Sequence, residues 1–306
     1  MNEPDTGKPR PPSPPPGQGE ALQKSPITTR RLAVVSAPTD PKVRELEALR
    51  ADIRSAADLQ KALLPKGPPG VSGYEFGIAY YGAKQISGDL YDFFQYPDGR
   101  VGIVIADASG KGVSAALLIT LTRALLHAAS EGTWPPEQIM SFVNHKLHGF
   151  VRRGLFVSMT YVILDPSKNV IQVSNAGHLP TLVWRSASRT LDMYPATGIV
   201  LGAGPSDVFE SRLRVEEVPV GVGDRVVLLT DGVNEAMAPG KREFGMEHLR
   251  RRLESDSDRP SAEFIKYVME QIEIHMAGGE QSDDITIVTF RRRLQPPSSG
   301  TVKAIH

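Results

Sequence analysis

The 306-residue chain contains no cysteine. That excludes a disulfide framework, a thiolate zinc site and any chemistry through a Cys nucleophile. Charge of one sign is lacking too: 35 Lys and Arg stand against 35 Asp and Glu, for a formal net charge of zero. The electrostatic footprint of a general nucleic-acid binder is therefore missing. No apolar run approaches the ~18 residues that span a bilayer; Val101–Ala106 and Ala115–Leu121 are core-sized stretches. The N-terminus, Met-Asn-Glu-Pro-Asp, has neither the basic start nor the apolar segment of a secretory signal. The expectation is a soluble cytoplasmic protein with no nucleic-acid or membrane partner. With 40% hydrophobic residues, the chain can bury the core of one large domain or two modest ones.

What is present divides the chain by composition. Residues 1–41 hold ten of the 25 prolines. Such a segment buries too little apolar surface to offset its ordering entropy, which predicts a disordered tail with polyproline character. Residues 42–64 read as one helix, a linker or switch element. Leu46, Leu49, Ile53, Ala56, Gln60 and Leu63 follow alternating steps of three and four. That seam suits either a short coiled coil or a helix packed on its own domain. Pro65 and Gly67-Pro-Pro-Gly70 stop it.

The folded region is expected over 65–292, with a disordered tail at 293–306. Strand-like runs lie near 74–81, 91–96, 101–106, 156–164, 169–174, 180–185, 208–218, 225–230 and 285–291. Helical patterns lie at 113–130, 135–150, 245–254 and 260–276. Clustered strands with helices between the clusters predict an α+β fold, with stacked antiparallel sheets and helices outside.

Carboxylates sit at the ends of the apolar strands. Val101–Ala106 runs into Asp107, Arg225–Thr230 runs into Asp231-Gly232, and Asp283-Asp284 precedes Ile285–Phe290. Gly88-Asp89 is read as a turn before the strand at 91–96. A single Asp at a strand end simply caps a turn. Four of them on adjacent strands converge, and converging carboxylates repel unless they share protons or a cation. Oxygen donors without His or Cys suit Mg²⁺ or Mn²⁺.

Six blocks then appear in order: Gln85-Ile-Ser-Gly-Asp-Leu-Tyr-Asp-Phe-Phe94, Ile105-Ala-Asp-Ala-Ser-Gly-Lys-Gly-Val-Ser-Ala-Ala-Leu-Leu118, Ser174-Asn-Ala-Gly-His-Leu-Pro180, Thr197-Gly-Ile-Val-Leu-Gly202, Leu229-Thr-Asp-Gly-Val-Asn-Glu-Ala236 and Asp283-Asp-Ile-Thr-Ile-Val288. Over 65–290 the chain resembles the metal-dependent Ser/Thr protein phosphatases of the protein phosphatase 2C superfamily, in the bacterial branch of the RsbU and stage II sporulation protein E type. The resemblance implies an αββα sandwich of two antiparallel sheets flanked by helices. It implies two Mn²⁺ or Mg²⁺ ions, with Asp107 bridging them and Asp89, Asp231, Asp283 and the Ala108 carbonyl completing the metal site. Asp107 and Asp231 are then the residues on which catalysis depends. Asp92 and Asp284 are assigned supporting roles. Ser87 stands where the family often has Gly, and no Arg matches the phosphate-binding Arg of the eukaryotic relatives. The implied substrate is a phosphorylated protein, an anti-sigma-factor antagonist of a partner-switching pathway. Helix 42–64 is expected to form a weak homodimer through Leu46, Leu49, Ile53 and Leu63, and to bias the positions of Asp89 and Asp231.

Competing readings are specific. A pseudophosphatase that captures phosphoprotein without turnover needs no intact carboxylate set, and a two-metal nuclease sits badly with zero net charge. Gly110-Lys-Gly112 resembles a phosphate loop, but Ile105 and Gly112 occupy the positions of its first Gly and its Ser or Thr. His145 and His148 are read as packing residues. His178 is expected to fix its turn by a ring hydrogen bond.

Overall fold

The computed structural model describes residues 40–130, 134–150 and 154–293. Most of the proline-rich tail and the end of the chain lie outside the described residues. The elements run α1 (Pro41–Leu63), β1 (Tyr74–Tyr81), β2 (Asp89–Gln95), β3 (Val101–Ala108), α2 (Val113–Ser130), α3 (Pro136–Phe150), β4 (Val157–Asp165), β5 (Val170–Ala176), β6 (Thr181–Arg185) and β7 (Thr190–Tyr194). There follow α4 (Ser206–Arg212), β8 (Val215–Pro219), β9 (Arg225–Leu229), β10 (Met237–Ala238), β11 (Arg242–Glu243), α5 (Gly245–Asp256), α6 (Ser261–Met276) and β12 (Ile285–Arg292).

Two five-stranded sheets carry the fold. The first has order β1-β12-β9-β6-β7, the second β2-β3-β4-β5-β8, and every pairing in them is antiparallel. Strands β3, β4, β9 and β12 are apolar on both faces because both faces are covered. In β3, Ile103 and Ile105 enter the core between the sheets with Tyr91, Val226, Val288 and Phe290. The alternate residues Val104 and Ala106 pack under α2 and α3. Behind the first sheet, Val227, Leu229, Ile285 and Ile287 meet Phe264 and Val268 of α6 and Leu249 of α5. The layers are helices, sheet, sheet, helices, as the α+β reading anticipated.

Three local readings change. The strand expected at 208–218 is α4 followed by β8. Phe209 and Leu213, four apart, are both buried against the helical layer, and the backbone follows that spacing. Asp89 opens β2 rather than sitting in a turn before it. The third change concerns α2, whose 18 residues have a mean hydropathy of 1.4, enough by length and composition to cross a membrane. Counting uninterrupted apolar residues missed this, because Thr120, Thr122 and Arg123 break the run. Seven of its residues, among them Leu118, Ile119 and Leu126, are buried in the packed core.

In α1, Ala57 is buried with Ile86 and Ala116, and Ile53 packs against them. Gln60, placed in the apolar seam by its spacing, bonds to the backbone of its own chain at Ser87. Leu46 and Leu49 are 47% and 55% exposed.

Candidate metal centre

Strand alternation aims the key side chains. Asp89 and Asp107 are direct cross-strand partners of β2 and β3. They share the parity of Tyr91 and Ile105, which face the core between the sheets. Thr230, just past β9, and Thr286 of β12 share the parity of Leu228 and Val288 and face the same space from the other sheet. The Thr230 and Thr286 hydroxyls donate to Asp89 Oδ2 at 2.7 and 2.6 Å. One buried carboxylate oxygen thus joins both sheets. These hydroxyls were not singled out from sequence, although the alternation of β9 and β12 held the signal.

The surrounding turns bring in the other acids. Asp284 accepts from the Ala83 and Gly88 backbone N–H groups, each at 2.7 Å, and so fixes the loop leading into Asp89. Gly232 brings the Asp231 turn against Asp284: a Cβ there would lie 2.0 Å from the Asp284 carbonyl oxygen. Lys111 Nζ donates to Asp283 Oδ2 at 2.7 Å and to the Ser282 carbonyl at 3.3 Å. The apparent phosphate loop therefore delivers a cation to the acidic cluster. Asp92 points the other way, to Arg123 and His127 of α2 at 2.9 and 2.8 Å, and pins that helix to the sheet.

The electrostatics follow from this crowding. Burial pushes the Asp107 carboxyl up to about 7, and repulsion from Asp231, Asp283 and Asp284 adds to it. Burial also raises Asp89 well above the usual carboxylate range; the Thr286 and Thr230 hydroxyls oppose the shift, and Asp107 reinforces it. Asp231 is raised by burial and by Asp283. Each shift disfavours the charged carboxylate, and the Lys111 ammonium opposes it at Asp107 and Asp231.

The donor set fits a hard divalent cation. All side-chain donors are carboxylate oxygens, and Gly88 leaves a cradle that a side chain would fill. A Cβ there would stand 3.4 Å from the Ala108 carbonyl oxygen and 3.6 Å from Asp107 Oδ1. Among the described residues, however, no three His, Cys, Asp or Glu side chains form a closed metal shell. The acids are coupled by charge without being drawn onto one point.

The predicted histidines have other partners. His145 reaches the Ser206 hydroxyl and His148 the Gly202 carbonyl, so both tie α3 to the 202–206 loop. The His178 turn is fixed by Asn175, whose Oδ1 accepts from the His178 N–H at 2.8 Å. The ring itself bonds elsewhere.

With this geometry in hand, the similarity to known proteins becomes specific. The family described as stage II sporulation protein E (SpoIIE) matches residues 97–293, well over half of the chain. The chain belongs to the SpoIIE family. The chain is 25% identical over 270 residues to protein IcfG of Synechocystis, covering 79% of this chain and 42% of IcfG. It is 26% identical over 252 residues to phosphoserine phosphatase RsbU of Bacillus subtilis, covering 81% of this chain and 72% of RsbU. The chain thus spans less than half of the first relative and nearly three quarters of the second. Among solved structures, the SiaA-PP2C domain of Pseudomonas aeruginosa superposes with a TM-score of 0.71 at 21% identity, covering 82% of this chain and 99% of that domain. The SpoIIE-family member described here therefore shares the protein phosphatase 2C fold.

Proposed function

We propose that the chain is a Mg²⁺- or Mn²⁺-dependent phosphatase acting on phosphoserine or phosphothreonine of a protein, with 65–292 as its catalytic domain. The observation that carries this reading is that Asp89 and Asp107 pair across β2 and β3, Thr230 and Thr286 of the other sheet hold Asp89, and the Asp231 turn abuts Asp283-Asp284, with no thiol in the chain. Asp107, Asp89, Asp231, Asp283 and the Ala108 carbonyl would hold two ions. When bound, such ions neutralise phosphate charge and ease deprotonation of a water nucleophile.

The chain's own residues do the rest. The Thr230 and Thr286 hydroxyls hold Asp89 in one orientation. Asp284 fixes the Gly88 backbone so that the cradle beside Ala108 stays open. In-line displacement by water needs no covalent intermediate, which agrees with the missing cysteine. Lys111, 56% exposed in its side chain, brings an ammonium to a site with no matching Arg.

The name of RsbU, phosphoserine phosphatase, supports phosphoserine as the group acted on. We take the substrate to be an anti-sigma-factor antagonist of a cytoplasmic partner-switching pathway. Helix α1 is proposed as the switch and as a weak homodimer contact. Leu46 and Leu49 of the helix are exposed, and an apolar groove of about 310 Å³ between α1 and α2 is lined by Ile53, Leu59, Val113 and Leu117. Gln60 then links the helix to the loop holding Asp89.

The test is hydrolysis of p-nitrophenyl phosphate with and without Mn²⁺. Turnover that chelation abolishes and Mn²⁺ restores supports the reading. Full activity in excess chelator overturns it, and tight phosphoprotein binding without turnover favours the pseudophosphatase.

A further inference from the structure

His178 lies where the chain crosses from one sheet to the other. β5 belongs to the second sheet and β6 to the first, and residues 177–180 connect them. Asn175 already holds this connection: it accepts from the His178 N–H and donates to the Leu179 carbonyl at 2.9 Å. Gly177 passes so close to Val200 that a Cβ would meet Val200 Cγ1 at 2.4 Å. The backbone is therefore fixed without help from the imidazole.

The ring makes two bonds of its own. Nε2 lies 3.1 Å from the Leu229 carbonyl oxygen and Nδ1 lies 2.8 Å from the Ser158 hydroxyl. A carbonyl only accepts, so Nε2 carries the proton. Burial pushes the imidazole down to about 4, so the ring is neutral and Nδ1 accepts from Ser158. Both nitrogens are occupied and the residue is buried. A ring so engaged has no proton to hand to a substrate.

Both ends of this bridge sit beside the carboxylates. Ser158 is the direct cross-strand partner of Asp107 in the β3–β4 ladder. Leu229 precedes Thr230, whose hydroxyl holds Asp89, and lies two residues before Asp231. We propose that His178 is a positioning residue: its ring ties Ser158 to Leu229 and so sets the separation between Asp107 on one sheet and Asp231 on the other. The inference rests on the reading of this cluster as a metal site, and it deepens that reading by adding a residue that touches neither metal nor substrate.

The experiment uses the full chain and two readouts. One is Mn²⁺ affinity by calorimetry. The other is amide hydrogen exchange at Val233 and Glu235, whose N–H groups bond to the Thr230 and Asp231 carbonyls and so report on the Asp231 turn. His178→Ala and Ser158→Ala are expected to weaken Mn²⁺ binding roughly 10–100-fold, the range for residues that orient metal ligands. Both should speed exchange at Val233 and Glu235. His178→Gln, whose amide can donate at one end and accept at the other, should recover most of the affinity. If His178→Ala does not fold, Ser158→Ala decides, since it removes one hydroxyl and leaves the ring. Native Mn²⁺ affinity in a folded Ser158→Ala overturns the proposal, whatever its melting temperature. If the wild-type protein takes up no Mn²⁺, the metal reading fails and exchange alone decides the bridge. Native exchange rates in both variants then overturn it.

Discussion

Lys111 Nζ stands 2.7 Å from Asp283 Oδ2, so the acidic cluster carries a cation of its own. A metal ion that takes Asp283 must displace that ammonium. The Lys111 side chain is more than half exposed, and such pairs are worth about 1 kcal/mol or less. Lys111→Gln should therefore tighten Mn²⁺ binding by up to about fivefold and lower the melting temperature only when chelator is present. Calorimetry and thermal melts with and without Mn²⁺ check both signs. Weaker Mn²⁺ binding in the variant would contradict the competition.

Gly232 sets the approach of the Asp231 turn to Asp284. With a Cβ 2.0 Å from a backbone oxygen, Gly232→Ala must push the two turns apart. The expected cost is about 1–3 kcal/mol of stability, the range for overpacking, together with loss of most activity. Gly70→Ala, where a Cβ meets nothing within 4 Å, is the neutral control. Equal activity in the two variants would show that the approach does not matter.

The raised Asp107 carboxyl predicts a pH dependence in metal-free buffer. Its folded value, about 7, lies above the unfolded one near 3.8, so the folded state binds the proton more tightly. That contribution is fully present below the unfolded value and is lost as pH rises through about 7. In chelator, the wild-type melting temperature should fall more between pH 5 and pH 8 than that of Asp107→Asn, which removes the titrating group. Parallel profiles would refute the assignment.

Gln60 of helix α1 bonds to the loop that leads into Asp89. Gln60 Nε2 donates to the Ser87 carbonyl at 2.8 Å, and its Oε1 accepts from the Ser87 N–H at 2.9 Å. Ser87 Oγ in turn accepts from the Asp89 N–H at 3.1 Å. Gln60→Ala should lower activity about tenfold or more with little loss of stability, since Gln60 is only partly buried. Sedimentation over a concentration range tests the dimer through Leu46 and Leu49. A concentration-independent monomer would remove dimer control and leave the intramolecular link.

Much of this was legible in the sequence because the strands are long and apolar. β1, β3, β4, β9 and β12 read directly. The edge strand β7 and the two-residue strands β10 and β11 did not, since half-exposed and very short strands carry almost no pattern. Gln60 was misread because its 3–4 spacing matches an apolar seam, whereas its partner Ser87 lies 27 residues away. His178 gave the same difficulty in another form. Its position in the turn suggested a local bond, but Asn175 makes that bond and the ring reaches 20 and 51 residues along the chain. Spacing predicts contacts within an element, whereas contacts between the sheets depend on register.

The most direct test is release of inorganic phosphate from a phosphoserine protein by the wild-type chain and by Asp107→Asn, each with saturating Mn²⁺. The account predicts steady turnover by the wild type and a loss well beyond ~100-fold in the variant, more than repositioning a ligand costs. Near-native turnover by Asp107→Asn would contradict it.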